Sequence, residues 1–302
     1  MNRNLIKEPL ISVIMPAYNA GRYIVDSINS VLAQTYGAYE IIVVDDGSTD
    51  NTVKLVETFG SKVSLFRQEN SGVSKSRNFA VSKAKGFWIA FLDSDDLWAP
   101  DKLDVQMRGL KNGARWSHTN SLYFGENQDG CTSRSDLSKQ YGGLVHTKLI
   151  EGNFITTSTV LMEKEFFIEL GGFDESLPAL EDWLLWVEAS KLSELSYQPE
   201  LLCKYRVYSG STSRKARFVL PLHLRVIDLI YNDLQQVPNF SRLYKVTRAN
   251  SYGVCSYIAE DASDNLFSFK CALGALINDP LNFSRLKRVI RTILNIITSP
   301  LK

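Results

Sequence analysis

The stretch FLDSDDLWAP, residues 91–100, sets three carboxylates, Asp93, Asp95 and Asp96, directly behind an apolar run that reads as a buried strand. Like charges so close repel and are costly to desolvate, so a ligand or partner must offset them. Asp93 and Asp95 are two positions apart and project to the same side of an extended segment. Two carboxylates so placed can hold a hard divalent cation. Mg2+ or Mn2+ usually takes one or two protein carboxylates and fills its remaining positions with water and substrate phosphate oxygens. The chain contains neither G-x-x-x-x-G-K-[ST] nor G-x-G-x-x-G, so phosphates would be neutralised by the metal with help from cations such as Arg77. Helix capping is the other reading, because Pro100 opens PDKLDVQMRGL and acids favour a helix N-terminus; it accounts for Asp96 or Asp101 better than for Asp93.

Positioning these groups needs a scaffold, and the hydrophobic pattern supplies one. ISVIMPAYN (11–19) is an apolar run stopped by Pro16, and RYIVDSINSVLAQ (22–34) spaces Ile24, Ile28, Val31 and Leu32 as a helix does. EIIVVDDGSTD (40–50) repeats the step, with Ser48 or Asp50 placed to cap a helix from about Asn51. KVSLFRQ (62–68) predicts a third strand, SGVSKSRNFAVSKAKG (71–86) a third helix and FWIAFLD (87–93) a fourth strand. Continuous apolar strands alternating with helices imply an α/β fold with a parallel sheet. Further strands are expected in ARWSHTNSLYF, TSTVLM (157–162) and LLCKYRVYS (201–209), with a polar loop over 125–143. GGFDESLPALEDWLLWVEAS (171–190) reads as a loop running into a helix, and the apolar spacing after 214 is helical. Two regions are expected, an α/β domain over 1–210 and an α-helical region over 211–302.

In open parallel sheets ligands bind beyond the carboxyl ends of the strands. Four polar groupings fall there: Pro16-Ala17-Tyr18-Asn19, Asp45-Asp46-Gly47-Ser48, Arg67 to Asn70, and Asp93 to Asp96. An acidic turn after a second strand can grip a ribose or base, although Asp-Gly is also ordinary turn chemistry.

Bulk composition excludes several classes. Hydrophobic residues make up 44% and charged residues 22%, and no stretch approaches the roughly 18 apolar residues of a membrane-spanning helix. The opening MNRNLIKEPL lacks the apolar core of a secretory signal, so a cytoplasmic location is expected. Cys131, Cys203, Cys255 and Cys271 show no C-x-x-C spacing and His118, His146 and His223 are scattered, which argues against a zinc site. Residues 211–302 hold 13 Lys/Arg against 6 Asp/Glu, so the back of the chain is basic and the front acidic. The front suits a cation-using site and the back an anionic lipid or acceptor, or ordinary solvated helix faces. No nucleic-acid partner is expected.

The segments VIMPAYNAGRYIVDSINSVLAQTY, EIIVVDDGSTDNT, NSGVSKSRNFAVSKAKGFWIAFLDSDDLWAPDKL and GGFDESLPALEDWLLW, in this order and spacing, resemble glycosyltransferase family 2, inverting enzymes of bacterial surface-polysaccharide type with the GT-A fold. The likeness covers about 11–210. It implies a nucleotide-sugar donor, a UDP-sugar, with Pro16 and Tyr18 near the base, Asp46 on the uracil or ribose side, Arg77 near the nucleotide, and Asn19 and Asp93 also among the residues that bind the donor. Asp93 and Asp95 would be the family's D-x-D, Asp95 binding Mn2+ or Mg2+ directly. The catalytic base of the family falls on Asp182, with Glu181 beside it adjusting its basicity or position; taken alone, this acidic pair reads equally well as a helix start.

The chain departs from the family at two places. Many relatives carry a histidine in a YRxHxxSxS segment, and here KYRVYSGSTSR has Tyr208 at that position, which puts that histidine's role in doubt. The Q-x-x-R-W signature of processive synthases is absent after Asp182, which favours transfer of one sugar to a carbohydrate or lipid-linked acceptor. The tail SRLKRVIRTILNIITSPLK (284–302) holds five basic and no acidic residues, with Leu286, Val289, Ile290, Ile293 and Ile297 along one helical face. Such a helix suits either peripheral contact with the inner face of the cell membrane or packing on the domain. Rival readings are a nucleotidyltransferase, which would make pyrophosphate and a nucleotide-sugar, and a non-catalytic glycan- or nucleotide-binding module.

Overall fold

Apolar runs and helices alternate along the first hundred residues, and the chain folds as that alternation demands. In the computed structural model, which describes residues 8–298 apart from 112, 127, 129, 209 and 233–238, β1 (Ile11–Ala17), β2 (Tyr39–Asp45), β3 (Ser64–Arg67) and β4 (Trp88–Phe91) run parallel. Most of the opening MNRNLIKEPL, Ser209 and the last four residues of the basic tail lie outside the described residues. The connecting helices are α1 (Ile24–Leu32), α2 (Thr52–Glu57) and α3 (Val73–Lys83). Every residue of β1 and β4 is buried, as a strand covered on both faces requires. In α1 the residues Ile24, Ile28 and Val31 supply the buried stripe. Asp50, one of the two expected caps, accepts the Thr52 amide at 2.9 Å. The last residues of three strands lie in register, Ala17 opposite Asp45 and Asp45 opposite Arg67, so the polar groups that follow them share one edge.

The second half completes the sheet. It contributes β5 (Leu97–Trp98), α4 (Lys102–Gly109), β6 (Trp116–Gly125), α5 (Arg134–Leu137), α6 (His146–Glu151), β7 (Leu161–Glu163), α7 (Lys164–Glu169), α8 (Glu181–Leu192) and β8 (Leu195–Val207). The strand order is β3-β2-β1-β4-β7-β6-β8-β5. β7 is antiparallel to β4 and β6, and β5 is antiparallel to β8, so the sheet is mixed but mostly parallel. Two expectations need correction. Residues 157–159, expected to begin a strand, form a 3-10 turn, and only Leu161–Glu163 is extended. Hydroxyls explain this: Thr159 Oγ1 donates to Thr156 O at 2.6 Å, a local bond that competes with a strand ladder. The polar loop over 125–143 also contains α5, closed by a capping box between Ser133 and Asp136.

The chain divides into two units, one of residues up to Val145 with Phe154–Val207, the other of His146–Asn153 with the residues from Tyr208 onward. The core of the first is layered between β1, β2, β4 and α1, and includes Val13, Met15, Ile28, Val43 and Ala90. The second is helical: α6, α9 (Ala216–Asn232), α10 (Phe240–Asp261), α11 (Asn265–Asn278) and α12 (Phe283–Thr298). Residues 146–153 join it because α10 ties their carbonyls, Thr247 Oγ1 donating to Ile150 O at 3.3 Å and Asn250 Nδ2 to Glu151 O at 3.2 Å. Among the described residues no helix is long and apolar enough to cross a membrane.

Candidate active site

The site is built on the edge where β1, β2 and β4 end. Pro16 is buried within β1 opposite Val44, whereas Tyr18 beyond the strand is 53% exposed. Asn19 takes a left-handed conformation, φ 48°, which asparagine tolerates better than most residues. Its amide donates to Ser48 Oγ at 2.8 Å, and its Oδ1 accepts from the Thr49 amide at 2.9 Å. Asn19 thereby fastens the end of β1 to the turn after β2.

That turn spends one of its two acids on structure. Asp46 is buried and accepts from Gln68 Nε2 at 2.7 Å, the Ser71 amide at 2.9 Å and the Gly72 amide at 2.9 Å, fixing the loop that leads into α3. Gly47 makes this approach possible, since its φ is 79° and a Cβ there would lie 2.9 Å from Asn70 N. Asp45, which sequence reasoning left among the turn residues, is fully buried. Its Oδ2 accepts weakly from the Ser48 amide at 3.3 Å and faces Arg67 Nε at 3.8 Å, and its Oδ1 has no hydrogen-bond partner.

The turn after β4 divides its acids differently. Asp96 is fully buried and accepts from Ser158 Oγ at 2.6 Å and the Arg206 amide at 2.8 Å. Burial pushes its carboxyl well above the usual range, with Asp95 and Asp93 adding to the rise. The capping reading therefore does not describe Asp96, and Asp101, at the N-cap of α4, makes no side-chain cap bond. Ser158 Oγ also accepts from the Asp93 amide at 3.0 Å, and Arg206 Nε donates to Asp95 O at 2.7 Å. The Arg206 guanidinium lies 4.2 Å from the ring centre of Tyr23 and 4.3 Å from that of Phe124. Both ends of the acidic turn are thus pinned through the backbone.

Arg77 joins this turn to the start of α8. It is buried on α3, donating to Asp93 Oδ1 at 2.6 Å and to Glu181 Oε1, and its guanidinium carbon lies 5.3 Å from the Phe173 ring centre. Burial works against its charge, but Asp93 and Glu181 overcome that and hold its pKa above the ordinary value. Leu180, just before α8, has φ 65°, a strained conformation for leucine, and the chain turns through it directly into the acidic pair. Glu181 is buried against Arg77, whereas Asp182 is only partly buried, its Oδ2 accepting from Thr157 Oγ1 at 2.9 Å and its Oδ1 from the Trp183 amide at 2.7 Å. Burial raises both carboxyls, Arg77 opposing the rise in each. A partly solvated carboxylate with a raised pKa suits proton abstraction.

The structure thus brings Arg77, Asp93, Glu181 and Asp182 into one connected group. Asp93 keeps partial exposure, and among the described residues no group of three or more His, Cys, Asp or Glu side chains forms a metal cage. Two carboxylates, Asp93 and Asp95, would be enough for a Mg2+ or Mn2+ ion, which draws the rest of its shell from water and phosphate. Sequence reasoning missed Thr157, Ser158 and Arg206. One signal was available: the strand expected over 157–162 carried hydroxyls at 157, 158 and 159, each of which needs a partner if buried.

A family model described as Glycosyl transferase family 2 matches residues 12–171. The chain is 34% identical over 222 residues to an uncharacterized glycosyltransferase of Rickettsia typhi, a match covering 69% of this chain and 67% of that one. Against some other Rickettsia relatives it spans only about a third of their length, 36% in Rickettsia felis and 31% in Rickettsia bellii. It is 35% identical over 209 residues to the Escherichia coli UDP-Glc:alpha-D-GlcNAc-diphosphoundecaprenol beta-1,3-glucosyltransferase WfgD, covering 68% of this chain and 79% of that protein. A Bacillus subtilis protein named for teichuronic acid biosynthesis, the glycosyltransferase TuaG, is 33% identical over 214 residues, covering 68% and 82%. Among solved structures, S. aureus TarS 1-349 aligns with TM-score 0.60 at 19% identity, covering 89% of this chain and 88% of that one. The mannosyltransferase PcManGT of Pyrobaculum calidifontis, in complex with GDP-Man and Mn2+, aligns with TM-score 0.62 at 18% identity, covering 95% and 85%. These likenesses show the fold, GT-A.

Proposed function

The chain belongs to glycosyl transferase family 2, and from that premise we propose that it moves one sugar from a UDP-sugar to a carbohydrate or lipid-linked acceptor in cell-surface glycan synthesis, using Mn2+ or Mg2+. The enzyme class favours this over a nucleotidyltransferase or a non-catalytic module. The names of WfgD, for a UDP-sugar and a lipid-linked acceptor, and of TuaG, for a surface polymer, support the donor and acceptor classes. The TarS complex with UDP-GlcNAc and the PcManGT complex with Mn2+ support the nucleotide and the metal. A cytoplasmic site of action follows from a nucleotide-sugar donor.

The observation that carries the reading is the buried Arg77, which ties Asp93 on the acidic turn to Glu181 at the head of α8. One guanidinium holds the diphosphate side and the acceptor side in fixed relation. The acceptor hydroxyl oxygen forms a bond to the anomeric carbon as the bond to the β-phosphate oxygen breaks, and that oxygen keeps the electron pair. Asp182 takes the hydroxyl proton, its carboxylate oriented by Thr157 and the Trp183 amide. Asp93 and Asp95 would hold the cation, which would stabilise the charge growing on the leaving diphosphate. Glu181, ion-paired with Arg77, anchors the start of α8, on which Asp182 follows directly.

Asp182→Asn tests this. Transfer should fall roughly 10²–10⁴-fold while metal-dependent donor affinity stays within about threefold, because the amide preserves size but cannot accept the proton. The measurement pairs transfer rate with donor titration by calorimetry, and nucleoside diphosphate rather than pyrophosphate should be released. Near wild-type turnover would move the base elsewhere, Glu181 being the first alternative.

A further inference from the structure

Helix α12 packs with its polar side inward. Arg288 is buried, ion-paired with Glu260, bonded to Ser256 Oγ at 2.9 Å, and its guanidinium carbon lies 3.8 Å from the Tyr257 ring centre. On the same side Thr292 is buried and Asn295 Nδ2 donates to Glu260 Oε1 at 2.5 Å. The apolar side is turned out. Leu286, Ile290, Ile293, Leu294 and Ile297 are 40–73% exposed, whereas Val289, which the sequence pattern placed with them, is buried. A solvated helix normally does the reverse, and clustered exposed aliphatic side chains mark an interaction surface. The stripe continues around the turn into α12, where Leu281 is 94% and Phe283 76% exposed.

Charge identifies the partner. Lys287 and Arg291 follow the stripe along one edge and are both exposed, and no acidic residue occurs after Asp279. Arg291 shares Glu260 with Arg288 at 3.2 Å, so that one carboxylate faces two guanidinium groups. A two-fold contact with a second copy would set these cations against their own images. A bilayer rich in anionic headgroups instead offers hydrocarbon to the stripe and phosphate to its cationic edge. We propose that α12 is a docking helix that lies in the plane of an anionic lipid surface, its aliphatic side in the headgroup–acyl boundary. No residue of α12 is among those assigned to the donor, the metal or the base, so its test is independent of those assignments.

The test uses the full chain and vesicles of phosphatidylcholine with and without roughly a quarter phosphatidylglycerol. The protein should sediment with the anionic vesicles and not with the neutral ones, and release as salt is raised. Ile290→Glu with Leu294→Glu should lower that binding about tenfold or more, since both aliphatic contacts are lost and carboxylates face the headgroups. Lys287→Gln should lower it about fivefold, one cation's share near such a surface. Leu229→Glu, at an exposed aliphatic position on α9, should leave it unchanged. Hydrolysis of a soluble donor and the thermal unfolding midpoint should not move in any of these, because every altered side chain is exposed. Failure of the wild type to bind, equal binding by the double variant, or a wild-type dimer that the double variant dissolves would overturn the proposal, the last assigning the face to a second copy. Should the double variant misfold, Lys287→Gln and the salt series still decide.

Discussion

Two acidic turns flank the end of β1, one after β2 and one after β4, and the protein treats them differently. Each commits one carboxylate to structure, Asp46 in the first and Asp96 in the second. The donors that saturate Asp46 come from the next loop, 22–26 residues along the chain. Those that saturate Asp96 come from Ser158 and Arg206, 62 and 110 residues away. The first turn is a local clasp. The second is where distant strands converge, so its backbone is held from several sides and Asp93 can be aimed by Arg77.

If the second turn carries the chemistry, Asp95→Ala should be the most damaging change in either. Donor affinity and transfer should fall together, with kcat/KM down by about 10³-fold or more, because the cation serves both binding and leaving-group stabilisation. Calorimetry with and without chelator checks it. Donor binding by the wild type that ignores the chelator would break the comparison.

Ser158→Ala probes the convergence itself. It removes the donor to buried Asp96 and the acceptor of the Asp93 amide at once, at a cost of about 2–3 kcal/mol of stability. Transfer should drop roughly 10–100-fold, through weaker Mn2+ affinity rather than altered acceptor use. A variant that melts lower but titrates Mn2+ normally would reduce Ser158 to a packing role.

These contrasts explain what could be read from the chain alone. The strands and helices up to β4 follow from continuous apolar runs and from Ile24, Ile28 and Val31 at helical spacing, because that layer is built by neighbours in sequence. The acidic turn, Arg77 and the Glu181–Asp182 pair were legible as residue types with a recognisable order. Their connection was not, since the Arg77 contacts with Asp93 and Glu181 span 16 and 104 residues and no local pattern encodes them. The reversal of α12 was hidden for a similar reason: its spacing gives an amphipathic helix but not which side faces in, and Glu260 on α10 decides that.

Asp46→Asn sharpens the comparison from the other side. If the first turn is a clasp, losing one acceptor oxygen should cost about 1–3 kcal/mol of stability and only a severalfold loss of transfer. If Asp46 instead contacts the base or ribose, stability should hold and the preference among nucleotides should relax. Thermal unfolding alongside competition by UDP, GDP and ADP separates the two.

The smallest effect is expected beneath the second turn, at Lys102. This lysine is fully buried on α4, donates to Gln106 Oε1 at 2.5 Å and sits 4.1 Å from the Trp98 ring centre; Trp98 Nε1 in turn donates to Ser158 O at 2.7 Å. Burial pulls its pKa from 10.5 down to about 7. Because the folded value lies below the unfolded one, its contribution to stability is fully present above about pH 10.5 and is lost as pH falls through about 7. Lys102→Met removes that loss but leaves Gln106 Oε1 without its donor at every pH, so the variant should be about 1–2 kcal/mol more stable than the wild type at pH 6 and about 1–2 kcal/mol less stable at pH 10. Transfer should stay within about threefold, since the shape of Trp98 under Ser158 is preserved. Unfolding midpoints across that pH range, with transfer rates at each end, make the check. A variant less stable at pH 6 and slower in transfer would show that the buried charge, rather than the packing of Trp98 against Ser158, holds the second turn in place.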